Sequence, residues 1–194
     1  MRFNKHSELE GRHSFLSPSK YHWLRYSEEK LVLSFQTAMA SARGTELHEF
    51  ASHAIKLGVK LQKLPLTLNQ FVNDAIGFGM ESEQMLFYSN NSFGTVDAIK
   101  YISPTRTRKA RLLVFDLKTG VSKASFDQLI VYCALFCLEY GFKPTELDFD
   151  LRIYQNNEIL VPDESIGIDE VLQAMDRIVT FDRILEELKE ELNR

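Results

Sequence analysis

Between Leu112 and Gln155 the chain writes strand, helix and strand in succession, and this order constrains the fold more than any other stretch. Leu112-Leu-Val-Phe-Asp-Leu117 is an apolar run interrupted by a single acid and stopped by Lys118-Thr-Gly, the pattern of a strand covered on both faces. Ser125–Tyr140 is strongly apolar and too long for a strand; Gly141 and Pro144 close it as a helix. Leu147–Gln155 (LDFDLRIYQ) alternates polar and apolar residues, as a strand with one covered face does. Two strands joined through a helix of this length run parallel. The expected fold class is therefore α/β, with helices against the faces of the sheet.

Upstream, Met85–Tyr88 and Phe93–Ile102 read as two strands joined at Asn90-Asn-Ser, and Glu158–Val161 as a short strand returned by Asn156-Asn157. A hairpin beside a parallel pair makes the central β-sheet mixed. Residues 1–18 read as loosely structured. A short helix from Ser17-Pro-Ser carries Tyr21, Trp23 and Leu24, and a longer helical stretch opens at Ser27-Glu-Glu and stops at Gly58. A third helix covers 67–80. In 168–192, Ile168, Val171, Leu172, Met175 and Ile178 recur at helical spacing on an amphipathic final helix. The expected organisation is one domain over 1–194: a mainly helical part (1–80), a sheet core (85–161) and a C-terminal helix (168–192).

Composition narrows the classes of function. Hydrophobic residues at 44% and charged residues at 26% are the balance of a soluble globular chain. The longest apolar run, Leu129–Leu138, is too short to cross a bilayer, so no membrane partner is expected. Met1–Glu8 has no apolar stretch like a secretion signal, which makes a cytoplasmic location the expectation. Cys133 and Cys137 are too few for a zinc site or a four-cysteine iron–sulfur cluster and read as small buried residues. The net charge of −4 argues against bulk attraction to nucleic acid. It is unevenly spread, however: residues 146–194 carry −9 and residues 1–145 carry +5, which leaves room for a DNA-facing side.

The chemistry-bearing residues lie in the basic part. Asp116 and Lys118, two apart at the end of a buried strand, point to the same side, while Leu117 turns into the core. The carboxylate can hold a divalent cation, the Leu117 carbonyl can add an oxygen, and the ammonium can stabilise or orient a nucleophile. Alone, this triplet reads first as an ion pair at a strand end, and only its context turns it toward a metal site. Asp97, between Val96 and Ala98, is a second strand acid, costly unless paired or coordinating. Its replacement by Ala is expected to raise the melting temperature of the metal-free chain by relieving carboxylate repulsion. His48 on the first long helix offers a nitrogen ligand, with Glu46 and Glu49 beside it. Arg43 and Gly44 offer a cation and a close backbone approach. Gln128 and Tyr132, four apart, share a face of the helix that follows the Asp-Leu-Lys strand, where amide and phenol groups can meet DNA phosphate or sugar.

In this order, His48, Gly94-Thr-Val-Asp97, Asp116-Leu-Lys118 and Gln128 with Tyr132 resemble the RecB-like branch of the PD-(D/E)xK nuclease superfamily, and in particular its small stand-alone phage and prophage members. The resemblance covers about 80 to 110 residues, from Arg43 to beyond Tyr154. It implies a restriction-endonuclease-like core and hydrolysis of DNA phosphodiester bonds with Mg²⁺ or Mn²⁺. The metal would be held by His48, Asp97, Asp116 and the Leu117 carbonyl, and the catalytic residues would be Asp97, Asp116 and Lys118. Gln128, Tyr132 and Arg43 are the expected DNA-binding residues. The resemblance points to an exonuclease that processes DNA ends for recombination in a host cytoplasm. A single-strand annealing protein is the expected partner, and a homo-oligomer is an option. An endonuclease or nickase on the same core, a restriction enzyme, and a catalytically silent DNA-binding or assembly protein are the rival readings.

Overall fold

The computed structural model describes residues 14–163 and 167–192. Most of the N-terminal stretch that the sequence reads as loosely structured falls in residues 1–13, outside the described residues. The chain separates into two compact units, Met1–Thr45 and Glu46–Arg194, and the division falls inside one 30-residue helix, α1 (Glu28–Leu57). The sequence treats the chain as one domain with an internal change of character near residue 80, so the units divide earlier than the change from helices to sheet.

In the first unit, a 3₁₀ helix runs from Pro18 to Arg25, bent at Lys20. Pro18 suits the first position of a helix because it has no N–H to leave unpaired. Trp23 Nε1 donates to the Ser17 carbonyl at 3.0 Å. The Ser27 hydroxyl accepts the Lys30 N–H at 3.3 Å and caps the start of α1. Phe15 meets Phe35 edge to face, with ring centroids 5.2 Å apart.

In the second unit, α1 ends at Gly58, whose φ of +66° is a left-handed conformation that a side chain would strain. Helix α2 (Thr67–Phe78) follows, then strands β1 (Glu81–Ser89), β2 (Ser92–Ile102) and β3 (Ala110–Leu117). Helix α3 (Asp127–Tyr140) leads to β4 (Leu147–Gln155) and β5 (Glu158–Leu160), and α4 (Ile168–Leu192) closes the chain. The five strands form one mixed sheet in the order β1-β2-β3-β4-β5. Pairs β1–β2, β2–β3 and β4–β5 are antiparallel, and β3–β4 is parallel. The fold is thus α/β with a central mixed sheet flanked by helices. Strand β1 begins four residues before the apolar pattern does, because Glu81-Ser-Glu-Gln84 pairs with β2 without any apolar alternation of its own.

Each face of the sheet carries its own core. On one, Leu112, Val114, Leu151 and Ile153 pack with Leu129 and Cys133 of α3 and Val171 of α4. On the other, Leu113, Phe115, Leu117 and Tyr154 pack with Ala51 and Ile55 of α1 and Phe71 and Val72 of α2. Strand β3 feeds both cores, and its Leu112–Phe115 side chains are wholly buried. Each such side chain contributes about 1.5–3 kcal/mol of transfer free energy. Cys133 and Cys137 are free and buried; burial raises both thiols, Cys137 to about 12. Among the described residues no helix is long and apolar enough to cross a membrane.

Candidate metal centre

The site begins where two strands part. Strands β2 and β3 pair from Ile102↔Arg111 to Ala98↔Phe115, and the paired register stops there. The next residue of β2 toward the hairpin is Asp97. Its Oδ2 accepts the Leu117 backbone N–H at 2.8 Å, so a carboxylate takes the place of a ladder carbonyl. Its Oδ1 lies 3.2 Å from His48 Nδ1 on α1, and the two form an ion pair when the imidazole is protonated.

The alternation of the β1–β2 hairpin breaks at the same level. Val96 belongs to the core under α3 and α4, whereas Ala98, two residues on, belongs to the core under α1 and α2. In β1, Leu86 belongs to the first core. Ser82, by contrast, meets α1: its Oγ lies 3.1 Å from Ser52 Oγ and donates to the Ser52 carbonyl at 3.3 Å. The residue that absorbs this reversal in β1 is Glu83, with φ +52°. A left-handed backbone at a residue with a side chain costs roughly 1–2 kcal/mol, and such strain gathers at functional sites. The outcome is that His48, Glu83 and Asp97 each bring a ligand atom within 4.8 Å of the other two.

Asp116 lies beside this group, with 2% of its side chain exposed. Lys118 Nζ lies 3.1 Å from its Oδ1 and 2.9 Å from its Oδ2, in hydrogen-bond geometry to Oδ1 alone. Oδ2 is buried without a hydrogen-bond partner among the described residues. Burial, then the charge of Asp97, raises the Asp116 carboxyl above its ordinary range, and Lys118 and His48 offset part of this. Burial and Asp97 likewise raise Glu83. The hydrogen bond to Asp97 raises His48 against the opposing effect of burial. Burial is the larger cause for both carboxyls, and the neighbouring charge of Asp97 adds to it: the acids share a space short of water and of positive charge. A nitrogen donor, several carboxylate oxygens and an unsatisfied buried oxygen are a donor set that fits Mn²⁺ or Mg²⁺. A cation there would displace the proton that His48 and Asp97 share.

A chain of hydrogen bonds fixes the lysine. Lys118 Nζ donates to Gln128 Oε1 at 2.6 Å, Gln128 Nε2 to the Tyr132 hydroxyl at 3.1 Å, and Tyr132 to the Thr95 carbonyl at 2.6 Å. The Tyr132 ring lies over Gly94, where an added Cβ would stand 3.2 Å from Cε1, so a side chain there would push the ring away. The loop after Lys118 is held by buried Gln155, which accepts the Ala124 N–H at 3.1 Å and donates to the Gly120 and Ser122 carbonyls, each at 2.7 Å.

The structure brings His48 and Asp97 into contact and places Asp116 and Lys118 alongside them. The glutamate of the close group is Glu83 from β1, while Glu46 and Glu49 are exposed on α1. Sequence reasoning missed Glu83 because its position depends on a backbone reversal and on pairing with β2; the sole trace was an acid opposite Asp97 across a hairpin. Leu117 gives its N–H to Asp97. Gln128 and Tyr132 spend their polar atoms on Lys118, on each other and on Thr95. Arg43 is exposed on the part of α1 that belongs to the first unit. Compared with protein-family models, curated proteins and solved structures, the chain matches none.

Proposed function

We propose that this chain is a Mg²⁺- or Mn²⁺-dependent deoxyribonuclease of the RecB-like kind, an exonuclease that processes DNA ends. The observation that carries this reading is the placement of the Asp116–Lys118 pair beside the His48–Glu83–Asp97 group, at the point where β2 and β3 part. Three carboxylates repel a phosphodiester, so a substrate of that charge requires a cation in the site. His48, Glu83 and Asp97 would hold it, with the Asp116 carboxylate beside them. When bound, the cation supplies charge neutralisation and a lowered pKa for water.

The protein's own contribution centres on Lys118. An ammonium has three N–H donors. One goes to Asp116 Oδ1 and one to Gln128 Oε1, which leaves one to donate to the attacking water or to the charge that grows on phosphate oxygen. Gln128 and Tyr132 keep that third donor aimed by tying Lys118 to Thr95 on β2, two residues from Asp97. DNA is the proposed substrate and the cytoplasm the proposed location. A single-strand annealing protein is the partner that the resemblance proposes.

The test is cleavage of end-labelled linear DNA with Mn²⁺ or Mg²⁺. The wild type is expected to degrade it, and Lys118→Ala to lose at least about a hundredfold in rate while remaining folded. Cleavage by Lys118→Ala at the wild-type rate would sink the assignment. Covalently closed circular DNA separates the two modes of attack: an exonuclease leaves it intact, and an endonuclease or nickase does not.

A further inference from the structure

Helix α4 carries a heptad that outlasts the core it packs on. Val171, Ala174, Ile178, Phe181, Leu185, Leu188 and Leu192 alternate three and four apart, the spacing of a seam between helices. Val171 is buried, and Ala174 and Ile178 pack partly buried against the α3 core. From Phe181 onward the seam is open: Phe181 is 53% exposed, Leu188 48% and Leu192 85%, with Ile184 and Leu185 exposed between them. The neighbouring face of α4 is tied to the β1–β2 turn. Ser89 and Asn91 donate to Asp182, Asn91 also donates to Glu186, and Lys189 donates to the Asn91 side-chain oxygen. These contacts fix the roll of the helix and leave the seam outward. Where the seam leaves the core a groove of about 350 Å³ opens, bordered by Val131 of α3 and by Ala174, Ile178, Phe181 and Leu185. Arg177 also lines it, 5.9 Å from the centroid of the Phe181 ring. Neither Arg177 nor Glu191 makes an ion pair or a side-chain hydrogen bond among the described residues.

We propose that this seam pairs with α4 of a second copy of the chain, antiparallel and about a two-fold axis. Two features of the surface select this occupant. The first is shape. One chain offers both an apolar groove at Ala174 and Ile178 and two protruding leucines, Leu188 and Leu192, further along the same seam. With the helices antiparallel and the axis near Arg183, Phe181 meets the partner's Leu185, Ile178 the partner's Leu188, and Ala174 the partner's Leu192. The leucines of each copy fill the groove of the other, the self-complementarity that a two-fold interface requires. The second feature is charge. Glu186, Glu187, Glu190 and Glu191 crowd the last two turns of α4. A parallel pair would set these acids against their own copies. The antiparallel pair separates them and brings Arg177 to the partner's Glu191, a pairing of flanking charges that sets helix orientation. Within one helix those two residues stand about 21 Å apart at a rise of 1.5 Å per residue, too far to pair. One helix pair is a small interface, at or below about 1,200 Å², so the dimer should form in the micromolar range. The inference stands apart from the nuclease reading and uses none of its residues.

Sedimentation equilibrium of the full chain, from low micromolar concentration to about a hundredfold above it, tests the pairing. The wild type is expected to pass from a monomer of 22.4 kDa to twice that mass as concentration rises. Leu188→Glu changes a side chain that is exposed in the single chain, so it should fold as wild type does and weaken the dimer at least about a hundredfold. Arg177→Glu and Glu191→Arg each replace an attraction by a repulsion at both ends of the two-fold seam and should each weaken the dimer about tenfold. The variant that carries both exchanges should restore it. Restoration belongs to contact between copies alone, because the two positions cannot meet within one helix. A chain that stays monomeric over the whole range overturns the proposal. So does a dimer that Leu188→Glu leaves at wild-type strength, which would use another surface. A double variant no tighter than either single exchange would overturn the antiparallel register.

Discussion

Strands β3 and β4 pair in parallel without a break from Ala110↔Leu147 to Leu117↔Tyr154, whereas β1 and β2 lose their two-residue alternation at Glu83 and Asp97. The first pair follows the rules of a buried sheet along most of its length: an unbroken parallel ladder, a helix over each side, and a β3 that is apolar on both faces from Leu112 up to Asp116. The second pair breaks those rules at the level where the carboxylates gather. The contrast separates two tasks. Regular pairing holds the ends of β3 and β4 in place, and the irregular pair uses that fixed edge to turn Asp97 and Glu83 toward His48. The candidate metal site lies at the boundary between the two, with Asp116 and Lys118 on the regular side and Asp97 on the irregular one.

The largest expected effect breaks the regular half. Leu113 is wholly buried between β3 neighbours and the α2 side, three residues from Asp116. Leu113→Ala should cost about 2–5 kcal/mol through lost burial and a residual cavity. Urea melts measure the loss. Mn²⁺ affinity measured in native buffer should stay at the wild-type value, and a parallel loss of affinity would show that the two halves are not separable.

Next is the response of stability to metal and pH. Burial and Asp97 favour the protonated carboxyls of Asp116 and Glu83, whose ordinary values are 3.8 and 4.5, so the metal-free chain loses stability as pH rises through their raised values. His48 gains stability from its protonated contact with Asp97, fully present below 6.5 and lost as pH rises through its raised value. The metal-free chain therefore weakens as pH rises, from 3.8 and 4.5 upward for the two carboxyls and from 6.5 upward for His48. Mn²⁺ should reverse the loss where its ligands are deprotonated. At a hundredfold excess over Kd the gain is about 2.7 kcal/mol, roughly 5–10 °C in melting temperature. Thermal shifts at pH 7.5 should exceed those at pH 5, and an equal shift at both would remove these groups from the metal site.

The regular half was legible in the sequence and the irregular half was not, for a physical reason. Apolar runs and helical spacing located β3, β4 and α4, the last with its bounds at Ile168 and Leu192, because burial itself imposes those periods. Asp97, Asp116, Lys118 and His48 stood out as charged residues in apolar or ordered settings. Glu83 did not: Glu81-Ser-Glu-Gln84 has the composition of a loop, and it becomes a strand only by pairing with β2. The Gln128–Tyr132 pair was visible as one helix face, but its direction, inward to Lys118 and Thr95, depends on how closely Gly94 lets α3 approach.

Asp97 shows how a contact changes a sign. Repulsion alone predicts that Asp97→Ala stabilises the metal-free chain. The structure gives Asp97 a second duty, acceptance of the Leu117 N–H, and a buried N–H left unpaired costs about 1–3 kcal/mol. Asp97→Ala is therefore expected to lower the melting temperature in EDTA. Asp97→Asn keeps an oxygen for Leu117 and removes the charge, so it should melt no lower than wild type while losing the Mn²⁺ shift. Equal melting of the Ala and Asn variants would mean that the Leu117 hydrogen bond carries no weight.

The smallest effect is the sharpest test of the irregular half. Glu83 holds a φ of +52°, a conformation that costs a residue with a Cβ roughly 1–2 kcal/mol. Glycine removes that strain but loses about 0.5–1 kcal/mol through the greater freedom of its unfolded chain. Removal of one carboxylate also relieves the burial and the repulsion from Asp97 that together raise Glu83. The balance leaves Glu83→Gly more stable than wild type in EDTA by roughly 0.5–1 kcal/mol, a rise of about 1–4 °C. With a ligand gone, the Mn²⁺ shift should shrink, so that the two chains change order on adding metal. Strain at Glu83 would then be what the metal-free chain gives up to keep a ligand aimed at the site. A glycine variant that melts lower than wild type in EDTA and keeps the full Mn²⁺ shift would return Glu83 to an ordinary surface residue, and the metal group to His48, Asp97 and Asp116.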